Sequence, residues 1–99
     1  MDIHAMQENA ESAAEVLKIL AHPARLLVLC ALVNRAHTVS ELESLVGLSQ
    51  SALSQHLARL RKQGLVETRR DAQKIYYSLC DNDARRILET LHDIYCADI

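Results

Sequence analysis

Apolar positions recur with helical spacing at both ends of this chain. A first helix over about residues 6–20 carries small and apolar side chains on one face and Glu or Lys on the other. A second helix, over about residues 24–34, follows Pro23, which favours the first turn of a helix. It is apolar on nearly every side, so the pattern predicts a buried, central position. A last amphipathic helix is predicted over about residues 82–97, with Asp81 as its cap.

Residues 38–63 have the pattern of a helix-turn-helix. Thr38 and Glu41 are spaced as a capping box, which marks the start of a short helix. Gly47 suits a tight turn, and Ser49 is a good N-cap for a second helix. That second helix has one apolar stripe at spacings of four and three, formed by Leu53, Leu57 and Leu60.

The other face of the second helix is polar and carries no acid. No Asp or Glu occurs between Glu43 and Glu67. Its side chains form hydrogen bonds well with base edges and phosphates, which favours DNA recognition over an ordinary helical hairpin with a solvated face. The candidate DNA-binding residues on this face are Gln50, Ser51, Ser54, Gln55, His56 and Arg59.

A β-hairpin is predicted over residues 65–79. Strands over residues 65–69 and 74–79 would flank a polar turn at residues 70–73. The hairpin would be the wing of a winged helix-turn-helix, so the fold class is mainly α with one β-hairpin. Three basic residues near its tip are candidates for contacts with DNA phosphates or the minor groove: Arg69, Arg70 and Lys74.

The formal net charge of −2 conceals an uneven distribution. Between Gln50 and Ile75 six basic residues face two acidic ones, a local net charge of +4, and the rest of the chain carries −6. Local charge steers a polyanion, so this basic segment supports double-stranded DNA as the partner.

The length of 99 residues predicts one domain with a modest core, and a dimer would bury more surface. The helices at residues 6–20 and 82–97 are predicted to pair with their symmetry mates in a two-fold homodimer. Two recognition helices would then meet half-sites about one DNA turn apart. The sequence shows no signal peptide and no apolar run long enough to span a bilayer, so a cytoplasmic protein without a membrane partner is expected.

Three cysteines, Cys30, Cys80 and Cys96, occur without a CxxC pair. A structural disulfide is not expected in a reducing compartment, and the spacing excludes a zinc knuckle or a thioredoxin-type motif. Buried packing and regulated thiol chemistry remain as interpretations.

The order of elements over residues 14–96 resembles the ArsR/SmtB family of bacterial repressors. The sequence segments that match this family most specifically lie at residues 20–26, 48–57 and 64–66. The resemblance implies a homodimer that represses transcription and releases DNA when an inducer binds or reacts. The family's metal ligands are missing, because the first helix of the helix-turn-helix has no cysteine and residues 81–83 read Asp-Asn-Asp where zinc sensors carry Asp-x-His. No metal and no cofactor are therefore expected.

The phrases Leu29-Cys30 and Tyr95-Cys96 resemble the persulfide-responsive branch of that family, which includes the BigR, SqrR and HlyU repressors. This resemblance implies that reactive sulfur species are the inducer and bridge the two thiols within one subunit by a disulfide or a polysulfide. Cys80 has no counterpart in that pattern and is interpreted as structural or incidental.

Three alternatives stay open at this point. His92 and Cys96 are four apart on one helix face and could supply two zinc ligands to a metal-sensing repressor, with Cys30 as a third. A thiol-dependent sulfur-transfer enzyme would pair a low-pKa Cys with a His, although the Gly-rich segments of a cleft are missing. A domain that binds only other proteins is the third alternative.

Overall fold

A small antiparallel sheet projects from a body of helices. The computed structural model describes residues 2–96. In chain order its elements are α1 (Ile3–Leu20), α2 (Pro23–Asn34), β1 (His37–Thr38), α3 (Val39–Val46), α4 (Gln50–Lys62), β2 (Val66–Asp71), β3 (Lys74–Leu79) and α5 (Asp83–Cys96). The mainly α fold with a β-hairpin wing, predicted from the sequence, is confirmed.

The first helix begins earlier than predicted because Asp2 caps it. Oδ1 of Asp2 accepts hydrogen bonds from the backbone N–H groups of His4 at 3.0 Å and Ala5 at 3.4 Å. At its other end the chain bends by 94° into α2. Within residues 2–96 no single helix is long and apolar enough to cross a bilayer; only the bent pair of α1 and α2 reaches that length and composition together.

The helix-turn-helix forms through local hydrogen bonds that its sequence predicts. The backbone N–H of Glu41 donates to Oγ1 of Thr38 at 3.2 Å, and the N–H of Thr38 donates to Oε1 of Glu41 at 2.9 Å. Gly47 ends α3 with φ of 71°, a left-handed conformation that favours glycine. The hydroxyl of Ser49 accepts the N–H of Ala52 at 3.2 Å, so α4 begins where it was predicted to begin.

The central helix of the core is α2, which contacts α1, α3, α5 and β3. Its inward side chains are fully buried at Val28 and Leu29, and so is the whole predicted stripe of α4. Burying one such leucine stabilises the fold by about 1.5–3 kcal/mol. The prediction that α2 is buried on nearly every side is wrong at Leu27, whose side chain is 54% exposed.

The sheet has three strands in the order β1-β3-β2. The sequence predicted only the hairpin, because a two-residue strand is too short to show an alternating pattern. In β1, His37 pairs with Tyr77 and Thr38 pairs with Tyr76. This pairing places the start of the helix-turn-helix against the base of the wing.

The wing turn is tighter than predicted. Asp71 pairs with Lys74 across the hairpin, so the turn holds only Ala72 and Gln73, and the predicted four-residue turn is wrong. Ala72 has φ of 57°, a left-handed conformation that non-glycine residues rarely adopt.

The last helix is capped by Asn82 and not by Asp81, which corrects the prediction. Oδ1 of Asn82 accepts the backbone N–H of Arg85 at 3.3 Å, and Nδ2 donates to the carbonyl of Gly64 at 3.0 Å. The second bond selects Asn, because a carboxylate cannot donate. α5 thus starts fixed to the end of the helix-turn-helix. Its predicted end near Ala97 lies outside the described residues.

Candidate DNA-reading surface and dithiol cavity

One face of α4 carries polar side chains that are turned to solvent. Gln50, Ser51, Ser54, Gln55 and Arg59 are all exposed. The buried leucine stripe on the opposite face fixes the rotation of the helix about its axis. The exposed row offers donors and acceptors without a carboxylate, which suits the edges of bases and the phosphates of DNA.

His56 occupies a different position from the rest of this row. It is half-buried, and its ring lies edge-on to the ring of His22, with centroids 5.1 Å apart. Burial lowers the pKa of His56, and the positive charges of His22, Arg25 and Arg59 lower this pKa further. His56 therefore packs against the start of α2, and neither His22 nor Arg25 was among the predicted site residues.

The wing carries its three predicted cations on exposed positions. The guanidinium of Arg69 lies 5.3 Å from the centroid of the Tyr76 ring, a cation–π distance. Nε of Arg70 donates to the carbonyl of Ala72 at 3.3 Å, and Lys74 faces solvent at the far side of the turn. In the described part of the chain none of the three pairs with a carboxylate within 4.0 Å. Their charge is therefore available to a polyanion.

A cavity of about 880 Å³ lies between α2, α3 and α5. Cys30 comes from the middle of α2, and Cys96 and His92 come from the last turns of α5. The fold thus brings together two cysteines that are far apart in the sequence. Much of the remaining wall is apolar, with Leu27 and Leu45 both more than half exposed.

The Cys30 thiol of this cavity is affected by its burial and by the neighbouring Cys96. Burial raises the pKa of the Cys30 thiol, and the neighbouring Cys96 raises this pKa further. Cys80 does not line the cavity. Its thiol lies 3.9 Å from Oε2 of Glu67, and burial together with this carboxylate raises the pKa of Cys80.

The same cavity also contains histidines. His92 lines it beside Cys96, as the alternative of a metal sensor requires, but within residues 2–96 no group of three His, Cys, Asp or Glu side chains is arranged to hold a metal ion. His37, which the sequence did not single out, is only 5% exposed and also lines the cavity. Its Nδ1 lies 3.6 Å from Oε1 of Glu41, beyond hydrogen-bond distance.

Comparison with known proteins decides the family. Residues 22–68 match the bacterial regulatory protein, arsR family. The transcriptional activator HlyU of Vibrio cholerae is 45% identical over 96 residues, which cover 97% of this chain and 89% of HlyU. The chain belongs to the ArsR family. A solved structure of reduced HlyU from the same organism superimposes on this ArsR chain with a TM-score of 0.85 and 46% identity, over 93% of this chain and 97% of that one.

Two other relatives agree with this assignment. The nodulation protein NolR of Rhizobium meliloti is 55% identical over 91 residues, which cover 92% of this chain and 75% of NolR. The crystal structure of the transcriptional repressor BigR from Xylella fastidiosa has a TM-score of 0.90 and 40% identity, over 98% of this chain and 96% of that one. This ArsR protein is therefore a DNA-binding transcriptional regulator and not an enzyme, which removes the sulfur-transfer alternative.

Proposed function

We propose that this ArsR protein is a repressor that senses reactive sulfur species, persulfides and polysulfides, through Cys30 and Cys96. A reduced homodimer binds double-stranded operator DNA and releases it when a disulfide or polysulfide joins the two thiols of each subunit. The observation that carries the proposal is the shared cavity, where Cys96 lies near enough to affect the pKa of Cys30. A relative whose solved structure is described as reduced, HlyU, supports redox chemistry in this branch.

The bridging chemistry needs a donor of sulfane sulfur and releases hydrosulfide. The Cys96 thiolate attacks the outer sulfur of a persulfide, R–S–SH, and the thiolate R–S⁻ leaves. The Cys30 thiolate then attacks Sγ of the Cys96 persulfide, and HS⁻ leaves as the disulfide forms. The two cysteines lose two electrons, which the transferred sulfur gains. A polysulfide bridge results when Cys96 has received more than one sulfur before Cys30 attacks an added sulfur.

The positions of the two thiols suggest this order of attack. Cys96 lies in the final turn of α5, half-buried in the wall of the cavity. Burial raises the pKa of Cys30, so this residue is mostly a protonated thiol at neutral pH and attacks second. Bridging at a given donor concentration should therefore accelerate with pH while Cys30 remains mostly protonated.

The two helices that carry the thiols also support the DNA-reading helix. His22 is the N-cap residue of α2, and its ring contacts His56 of α4. Asn82 caps α5 and donates to the carbonyl of Gly64 just after α4. A bridge between α2 and α5 therefore acts on both supports of α4. The bridge can switch DNA affinity only if it strains the DNA-binding conformation more than the conformation that does not bind DNA.

Exposed apolar side chains support a homodimer built from α1 and α5. Ile3 and Leu17 of α1 are 59% and 55% exposed, and Ile94 and Tyr95 of α5 are 65% and 77% exposed. Exposed side chains of this size are unfavourable in water and are typical of an interface. A two-fold axis there would place two α4 helices on one face of the dimer.

Intact-mass spectrometry combined with operator binding tests the proposal. The reduced protein is treated with polysulfide, glutathione disulfide or peroxide, and each product is weighed and assayed on DNA. We expect a bridged species with polysulfide and loss of operator affinity. Cys30→Ser and Cys96→Ser should each bind DNA and lose this response, whereas the matched control Cys80→Ser should keep both properties. A Cys96→Ser protein that still releases DNA with polysulfide would refute the pairing.

The metal-sensing alternative is tested on the same proteins. It is favoured only by the common location of His92, Cys96 and Cys30 in the cavity wall. Zinc titration of the reduced protein should leave operator affinity unchanged. Stoichiometric zinc binding that abolishes DNA binding, and that His92→Ala removes, would replace the persulfide proposal.

A further inference from the structure

A second basic surface adjoins α4 where this helix faces α1 and α2. Lys18 of α1, Arg25 of α2, and Arg59 and Lys62 of α4 line one groove of about 600 Å³. Glu15 is the only carboxylate in its wall. Three separate helices thus converge to place four cationic side chains around one space.

The cations of this groove have no anionic partner within the described residues. None of the four lies within 4.0 Å of a carboxylate oxygen in residues 2–96. Nη1 of Arg25 donates weakly to the carbonyl of Ile19 at 3.5 Å, while its Nε is buried without a hydrogen-bond acceptor. A buried donor on a cation is costly unless an acceptor satisfies it. The groove therefore has the charge and the unused donors of an anion site.

The position of the groove indicates which anion it takes. Arg59 lies one helical turn beyond Gln55, so the groove continues from the exposed row of α4 that faces bases. A helix in the major groove lies between two rows of phosphates. The row beside the α1–α2 corner of the protein would then pass this groove.

We propose that the groove lined by Lys18, Arg25, Arg59 and Lys62 binds a backbone phosphate of the DNA beside the base-reading contact. The inference rests on the proposed operator binding and adds Lys18, Arg25 and Lys62 to the DNA surface. The site is independent of base sequence, so it fixes the register of α4 on the duplex. His22 and His56 lie beside the groove, and the effect of Arg25 and Arg59 on the pKa of His56 agrees with a positive potential there.

The double variant Lys18→Gln/Lys62→Gln tests the groove without touching the half-buried Arg25. We expect weaker binding to operator and random DNA alike. The slope of log affinity against log salt concentration should fall by about 0.9 for each lost phosphate contact. The matched control Arg86→Gln removes one exposed cation of α5 and should keep the wild-type slope. A wild-type slope in the double variant would overturn the inference.

Neutral phosphate analogues locate the contact. Single methylphosphonates are placed along both strands beside the major groove of one half-site. In the wild type one short stretch of positions should weaken binding. In the double variant, which keeps Arg25 and Arg59, the same positions should weaken binding less. Equal losses in both proteins would overturn the groove contact. A wild type that binds no duplex at all would instead refute the proposed function, so the two failures are distinguishable.

Discussion

At the scale of single residues, His56 shows how a side chain of the reading helix can serve the fold. Its ring packs against His22, so a proton on His56 would add charge beside His22, Arg25 and Arg59. The sequence assigned His56 to the exposed polar face by spacing, although its side chain is half-buried against His22. It could not show the His22 contact, because that pairing depends on how α2 approaches α4.

We expect the free energy of unfolding to fall as the pH drops through the histidine range. The pKa of His56 lies below the ordinary value of 6.5 in the folded protein, so the unfolded chain binds the proton more readily. This contribution is complete above about pH 6.5 and is lost as the pH falls through the lower folded pKa. Urea unfolding at several pH values measures it, with His56→Gln as the comparison. The same pH dependence in the variant would contradict the assignment.

Ala72 gives a second residue-scale prediction. Its φ of 57° is unfavourable for a side chain with Cβ, and glycine adopts it freely. Ala72→Gly should raise the free energy of unfolding by about 0.5–1 kcal/mol, after the greater flexibility of unfolded glycine is subtracted. Urea denaturation measures the change, and Gln73→Gly is the control at the neighbouring turn position. Destabilisation by Ala72→Gly would show that the turn is not strained.

At the scale of elements, the sequence predicted what local hydrogen bonds decide. The capping box of Thr38 and Glu41 and the turn at Gly47 were confirmed because their partners lie within a few residues. The choice of Asn82 over Asp81 could not be made from sequence, since the carbonyl of Gly64 decides it across a tertiary contact. The strand β1 was missed for the same reason, because it pairs with β3, which lies far along the chain.

The helix α4 and the wing should contribute differently to DNA binding. Gln55→Ala removes an exposed amide that can bind a base edge, and should cost about 1–3 kcal/mol on the operator and much less on random DNA. Arg69→Ala removes a charge on the wing, and should weaken binding to every sequence and lower the salt dependence. Titrations on both DNAs at several salt concentrations separate the two roles. Equal losses on both DNAs for Gln55→Ala would contradict base reading.

At the scale of the whole molecule, five of the eight large apolar side chains that are exposed within residues 2–96 lie on α1 and α5, the two helices farthest apart in the sequence. The pattern of α1 and α5 predicted an apolar side for each helix, but a sequence cannot divide that side between the subunit core and an interface. The fold makes the division, because Leu20 and Leu88 are buried while Leu17 and Tyr95 are exposed. The meeting of Cys30 and Cys96 in one cavity was likewise implied only by family resemblance, since spacing in the sequence does not fix distance in space.

Charge on the exposed apolar surface should separate the proposed dimer. Tyr95→Asp and Leu17→Glu should each shift the dimer–monomer equilibrium toward monomer by at least tenfold, because each would bury an unpaired charge at the interface. Sedimentation at several protein concentrations measures the equilibrium. Ile75→Glu, at an exposed position of the wing, should leave it unchanged. A wild type that stays monomeric at high concentration would contradict the dimer.

The place of Cys80 outside the cavity has a practical consequence. A chain with three cysteines cannot pair all of them internally, and under the proposed pairing of Cys30 with Cys96 the thiol left over is the one beside Glu67 at the foot of the wing. A chromogenic assay on the denatured protein should therefore find three free thiols per chain before treatment with polysulfide and one free thiol after it. That remaining group offers an attachment point for a fluorescent label, from which the motion of the hairpin could be followed while the other two thiols stay free to react.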